Sequence, residues 1–212
     1  MQQTLIRAGR ILLIEPSCPL CRQPNDAGLH GLPCPACRTR LALPSRGLVG
    51  EQPLPWKALG LYRNDFRALL LKLRRRPDRR SIQSLIQLLS QIIPQGKGIA
   101  LVPIPGWKKQ HANPWPQRIC SNLQKPVRPL LHRCRASAGQ HQLTRYQRFR
   151  NLQGSFRAEP AKATNSPMPM LWMVDDILTT GATALSARDA LTQAGHRVAG
   201  MICLARTPHH RR

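Results

Sequence analysis

A chain of 212 residues can bury one α/β domain with a small appendage, which excludes a peptide hormone or a disordered tail. Its net charge of +24, from 33 Lys and Arg against 9 Asp and Glu, attracts polyanions such as nucleic acid, nucleotides or pyrophosphate; a generally basic, solvated surface is the plainer alternative. The apolar stretch Ile11-Leu12-Leu13-Ile14 is shorter than a signal core and far from the ~20 apolar residues that span a bilayer, so a cytoplasmic protein without a membrane span is expected.

Composition changes near residue 45, which predicts two modules, 1–45 and 46–212. The first holds Cys18-Pro19-Leu20-Cys21 and Cys34-Pro35-Ala36-Cys37, two C-x-x-C pairs twelve residues apart. Each pair can turn two thiolates toward one tetrahedral ion, and zinc suits four sulfurs best. Such a metal would also supply folding energy to a segment with few large apolar groups. Disulfides or a redox dithiol are the competing readings; a reducing compartment disfavours the first, and the second needs only one pair. Cys120, Cys134 and Cys203 lack metal spacing and read as ordinary residues, Cys203 inside an apolar run.

Further along, residues 58–62 read as a strand, and 66–73 and 81–93 as helices interrupted at Pro77. The basic cluster Lys72, Arg74, Arg75, Arg76, Arg79 and Arg80 lies around that break, and no acidic residue occurs between Asp78 and Glu159. Residues 98–102 form the next expected strand, ending in Pro103-Ile104-Pro105-Gly106 with Lys108 and Lys109 beyond. Lysines there would meet pyrophosphate, or else mark a basic surface loop. Residues 137–155, with Arg145, Arg148 and Arg150 and no apolar periodicity, are expected to be a mobile basic loop of the kind that acts as a lid.

The densest signal is residues 171–183. An apolar strand (171–174) leads into Asp175 and Asp176, then Thr179, Thr180, Gly181, Ala182 and Thr183, then a helix-forming stretch over 184–194. At a strand-to-helix turn the first helical amides lack backbone acceptors, and the helix dipole is positive. A phosphate can therefore bind the amides of 180–183 and the threonine hydroxyls. Two carboxylates at the carboxyl end of a parallel strand can accept hydrogen bonds from neighbouring ribose hydroxyls. Residues 198–204 close the chain as a strand before a His/Arg tail.

The double C-x-x-C, Tyr62 with its basic helix, Val102-Pro103-Ile104-Pro105, the series Gln140, Leu143, Thr144, Arg148, Asn151, Leu152, Gly154, Phe156, and the Asp-Asp/Thr-Thr-Gly-Ala-Thr run together resemble the ComF/GntX family. The resemblance covers about residues 18–207. It implies an α/β fold, a type I phosphoribosyltransferase-like parallel sheet flanked by helices, with a small N-terminal zinc-binding segment. It also implies a role in natural transformation, handling imported single-stranded DNA alongside helicase or processing proteins of DNA uptake. Carried onto this chain, Asp175 and Asp176 hold ribose and position Mg2+, residues 179–183 hold phosphate, and Cys18, Cys21, Cys34 and Cys37 hold Zn2+. After Val-Pro-Ile-Pro the family commonly has arginines and Gly-Phe-Asn, where this chain has Gly106-Trp107-Lys108-Lys109 and Asn113.

The leading expectation is thus a protein that binds phosphoribosyl pyrophosphate with magnesium and binds single-stranded DNA through Arg74, Arg75, Arg76, Arg145 and Arg148. No residue declares itself as a base for a particular nucleophile, so binding is better supported than turnover. A non-catalytic nucleic-acid-binding or adaptor protein of the uptake machinery is the alternative, and a nucleobase salvage phosphoribosyltransferase ranks third.

Overall fold

The computed structural model describes residues 17–25, 31–96, 98–106, 114–134, 154–162 and 167–208. In chain order the elements are α1 (Pro35–Arg40), β1 (Leu48–Gly50), β2 (Trp56–Leu61), α2 (Asn64–Arg75), α3 (Arg79–Ser90), β3 (Ile99–Pro103) and α4 (Trp115–Asn122). They continue with β4 (Leu131–Arg133), β5 (Phe156–Ala158), β6 (Met170–Val174), β7 (Ile177–Leu178), α5 (Ala182–Gln193) and β8 (Val198–Arg206).

The central sheet runs β1-β2-β8-β6-β3, with β7 also paired to β8. In it β1 is antiparallel to its neighbour, while β2, β8, β6, β3 and β7 are parallel. Helices flank this sheet, so the chain adopts the expected mixed α/β architecture. Strands β3 and β6, and β8 up to Ala205, read as unbroken apolar runs because both faces are covered. Side chains then alternate between two cores with the period of two that a strand imposes. Leu101, Val174, Ile202 and Leu204 join Phe66, Leu70, Leu85, Leu89 and Ile119 on the side of α2, α3 and α4. Val102, Met173, Met201 and Cys203 join Ala187, Leu191, Leu131 and Phe156 on the side of α5 and the β4–β5 pair. Each fully buried leucine of these clusters contributes about 1.5–3 kcal/mol.

Three helices follow from local sequence. The apolar spacing Phe66, Leu70, Leu73 gives α2 one buried stripe. Asp78 caps α3, its carboxylate accepting from the Ser81 amide at 3.2 Å and from the Ser81 hydroxyl. Helix α5 starts at Gly181, whose φ of 85° is left-handed; a Cβ there would collide with the Pro53 ring. Glycine is therefore required twice over at that position.

Residues 17–25 and 31–43 dock on the same core as α2 and α3. Leu32, Leu41 and Leu43 are buried with Leu59, Phe66 and Leu85. The Ser81 hydroxyl donates to the Pro19 carbonyl at 3.0 Å, and Arg22 pairs with Asp78 at 2.8 Å. Among the described residues no helix is long and apolar enough to cross a membrane.

Candidate functional site

Two constellations stand out, a four-sulfur cluster and a pair of carboxylates at the carboxyl edge of the sheet. The cluster is built by two turns. In the first, Cys18 N donates to the Gln23 carbonyl and Arg22 N to the Cys18 carbonyl, curling Cys21 back beside Cys18. In the second, Cys34 caps α1 and its sulfur accepts from Cys37 N at 3.5 Å. All four sulfurs lie within 4.8 Å of one another. Cys18 and Cys37 are 3.9 Å apart and Cys21 and Cys34 3.8 Å. Sulfurs about 2.3 Å from a central ion in a tetrahedron are about 3.8 Å apart, whereas a disulfide needs about 2.0 Å. All four thiols are free. The donor set and its spacing fit a metal ion such as zinc.

Electrostatics within the cluster point the same way. Burial opposes ionisation of Cys18, but the amides of Cys34, Cys21 and Leu20 outweigh it and bring the thiol down to about 6. Burial and the neighbouring sulfurs push Cys37 up, and burial pushes Cys34 up. Several thiols crowded together resist shedding protons unless a cation takes their charge.

The second constellation follows β6. The backbone of the two acids continues the ladder to β8: Asp175 N donates to the Ile202 carbonyl at 3.1 Å, and the Asp176 carbonyl accepts from Leu204 N at 3.0 Å and Ala205 N at 3.2 Å. Both carboxylates are therefore held by the sheet. Asp175 Oδ1 accepts from Asp176 N at 2.8 Å. Asp176 is buried, and its Oδ2 receives both Nε of Arg74, at 2.9 Å, and a terminal nitrogen of Arg74. Burial, reinforced by the adjacent Asp176 charge, raises the Asp175 carboxyl well above the ordinary range.

Beyond the acids, β7 and Thr179-Thr180-Gly181 lead into α5, so this turn and the acid pair follow one another at the edge of the sheet. Thr179 is exposed, Thr180 and Thr183 half-buried, and Ala182 buried. Thr180 Oγ1 accepts from Ala182 N at 3.4 Å.

Two arginines in this region carry little or no mark in the sequence pattern. Arg206 is buried at the end of β8 and donates to the Leu178 carbonyl at 3.0 Å and to the Thr179 carbonyl, with its guanidinium 5.7 Å from the Trp56 ring. It fixes the backbone entering the loop; its one sequence signal is a charge closing an apolar run. Arg133, on β4, lies 4.8 Å over the Phe156 ring. Burial lowers its pKa while the charge of Asp175 pulls it back up, so Arg133 faces the acid pair electrostatically. Nothing in its local sequence distinguishes it.

Arg74, though partly exposed, bonds Asp176, and Arg75 and Arg76 are exposed beside it. Lys108, Lys109, Arg145 and Arg148, and nearly all of the expected basic loop, lie outside the described residues. Cys120 and Cys203 are buried in the core and Cys134 is exposed.

No family model matches the chain. It is similar to proteins named DNA utilization protein YhgH. That of Escherichia coli (strain K12) is 29% identical over 235 aligned residues, covering 93% of this chain and 100% of the relative. That of Salmonella typhi is 29% identical over 216, covering 90% and 84%. The Salmonella typhimurium (strain LT2) protein is 28% identical over 238, covering 93% and 100%.

Proposed function

We propose that this chain is a ComF/GntX-like protein that binds phosphoribosyl pyrophosphate at the β6–α5 edge and binds single-stranded DNA, acting in DNA uptake or utilization. The observation that carries the reading is the placement of Asp175 and Asp176 at the carboxyl end of β6, directly ahead of the Thr179–Thr183 turn and the start of α5. A sugar phosphate suits that order: its phosphate meets helix-terminal amides and its vicinal hydroxyls meet carboxylates. The name shared by the relatives, DNA utilization protein, supports the DNA half.

In this reading residues 1–45 form a zinc-stapled module and 46–212 the phosphoribosyltransferase-like domain. Cys18, Cys21, Cys34 and Cys37 hold zinc as a closed structural site. Thr179, Thr180, Gly181, Ala182 and Thr183 hold the 5-phosphate, Asp175 and Asp176 the ribose, and Lys108 and Lys109 the pyrophosphate. Magnesium would supply charge neutralisation between pyrophosphate and ribose oxygens. If transfer occurs, Asp175 and Asp176 steady the ring as its anomeric carbon becomes cationic, and the basic groups of the pocket favour departure of pyrophosphate. The Arg74 contact is a cost to any sugar bound here, in ground state and transition state alike, because Asp176 Oδ2 is already satisfied and must exchange this partner for sugar hydroxyls. That favours the adaptor reading as the second choice, with helicase or processing proteins as partners.

The DNA half is tested by salt. Affinity for an oligothymidylate should fall steeply as salt rises, with a log-log slope of roughly 0.7 per phosphate contact. Because Arg74 is held by Asp176, the clean substitution is Arg75→Ala with Arg76→Ala, which should reduce the slope by about 1.4 if each arginine meets one phosphate. Salt-insensitive binding would contradict the electrostatic reading and point to stacking.

A further inference from the structure

A cavity of about 740 Å3 lies away from the acid pair, between α1, the segment leading to β1 and the start of α2. Its volume is that of a small-molecule or nucleotide site. Pro44, which is exposed, and half-buried Leu48 and Leu61 give it an apolar surface, and Arg38, Arg40 and Arg63 stand around it. Among the described residues Asp65 is the single acid in its lining, and Arg40 pairs with it at 3.7 Å. The remaining charge is therefore cationic, set over an apolar surface. Bases need such a surface and phosphates need such a rim.

The cavity also has a direction. Helix α2 begins at its edge and spans about 18 Å over its twelve residues. At its far end Arg74 holds Asp176. Arg67 lies between, its guanidinium 5.8 Å over the Tyr62 ring. Arg67 and Arg74 are seven residues apart, about two turns, and so share a face. Arg63 and Arg67 thus carry positive charge from the cavity along one rigid element, on the side that ends at the Arg74–Asp176 pair.

We infer that the groove between α1 and α2 binds single-stranded nucleic acid, bases on the apolar surface and phosphates on Arg38 and Arg63, and that the arginine face of α2 leads the strand toward Asp176. This rests on the DNA-binding half of the proposed function and gives it a place. The four-cysteine segment then acquires a second role, because α1, which it positions through Cys34 and Cys37, is one wall of the groove.

Anisotropy of a labelled oligothymidylate of about twelve nucleotides, titrated with the full chain, tests this. At about 0.1 M salt, Arg38→Ala with Arg63→Ala should weaken binding about 25-fold and lower the log-log salt slope by about 1.4, the effect of removing two single-strand phosphate contacts. Arg38→Lys with Arg63→Lys should keep most of the affinity, since a phosphate contact needs the charge. Unchanged affinity and slope in the alanine variant would overturn the groove while leaving DNA binding intact. An equal weakening in the lysine variant would assign the effect to folding and overturn it too. Absence of binding by the unaltered chain would remove both this inference and the DNA reading beneath it.

Discussion

Cys34→Ser with Cys37→Ser should yield protein that retains no metal and melts about 10 °C or more below the unaltered chain. Shared packing makes the effect large. Structural zinc in small modules contributes apparent binding energies of about 10–16 kcal/mol, most of which is folding energy there. Here the sulfurs anchor a segment whose Leu32, Leu41 and Leu43 belong to the core of α2 and α3. Loss of the ion therefore loosens that core as well as the turns. A net loss of only about 5 kcal/mol, at roughly 2–4 °C per kcal/mol for a chain of this size, gives the stated shift. Metal analysis and thermal melts of protein prepared under reducing conditions check it. Unaltered protein with no zinc, melting at the same temperature as the double variant, would sink the metal assignment.

Asp175→Asn should move stability the other way. The Asp175 carboxyl titrates above its ordinary value because of burial and the adjacent Asp176. A raised folded-state pKa favours the neutral acid: its stabilising share is full below the unfolded value near 3.9 and is lost as pH rises through the folded value. At neutral pH Asp175 thus weighs against the folded state. Asparagine does not titrate, and its side-chain oxygen can still accept the Asp176 amide at the position of Oδ1. The expected result is a gain of about 1 kcal/mol, or roughly 2–4 °C, at neutral pH, shrinking as pH falls toward 5. Melts of both proteins between pH 5 and 8 check it; a variant less stable than the parent at pH 8 would mean that the acid is structural.

The local signals in the sequence and the tertiary ones behave differently. Strands β3, β6 and β8 lie within apolar runs, and α2, α3 and α5 carry helix periodicity or helix-forming composition; each is visible to within a few residues of its bounds. The four cysteines are legible because metal spacing is local. The short elements β1, β4 and β5 are not, since three-residue strands carry too little pattern to stand out. Helix α4 begins Trp115-Pro116, which reads as a break although proline is at home in a first turn. The acids and the turn after them are legible as one contiguous run, whereas Arg74 and Arg206 bond to it from separate elements. Arg74 bonds across 102 residues, a distance over which no local pattern speaks. The basic cluster around it predicts a nucleic-acid surface; burial of Asp176 against α2 draws one of its arginines onto the carboxylate.

Calorimetric titration of phosphoribosyl pyrophosphate, with magnesium present, into the unaltered chain and into Asp175→Asn with Asp176→Asn bears most directly on the sugar-phosphate reading. Saturable binding by the unaltered chain is expected. Each charge-assisted hydrogen bond that the double variant cannot make should weaken it by on the order of 1.5–3 kcal/mol, at least a hundredfold in all. Equal affinity in the two proteins, or no binding by the unaltered chain, would contradict the assignment of this edge as a sugar-phosphate site.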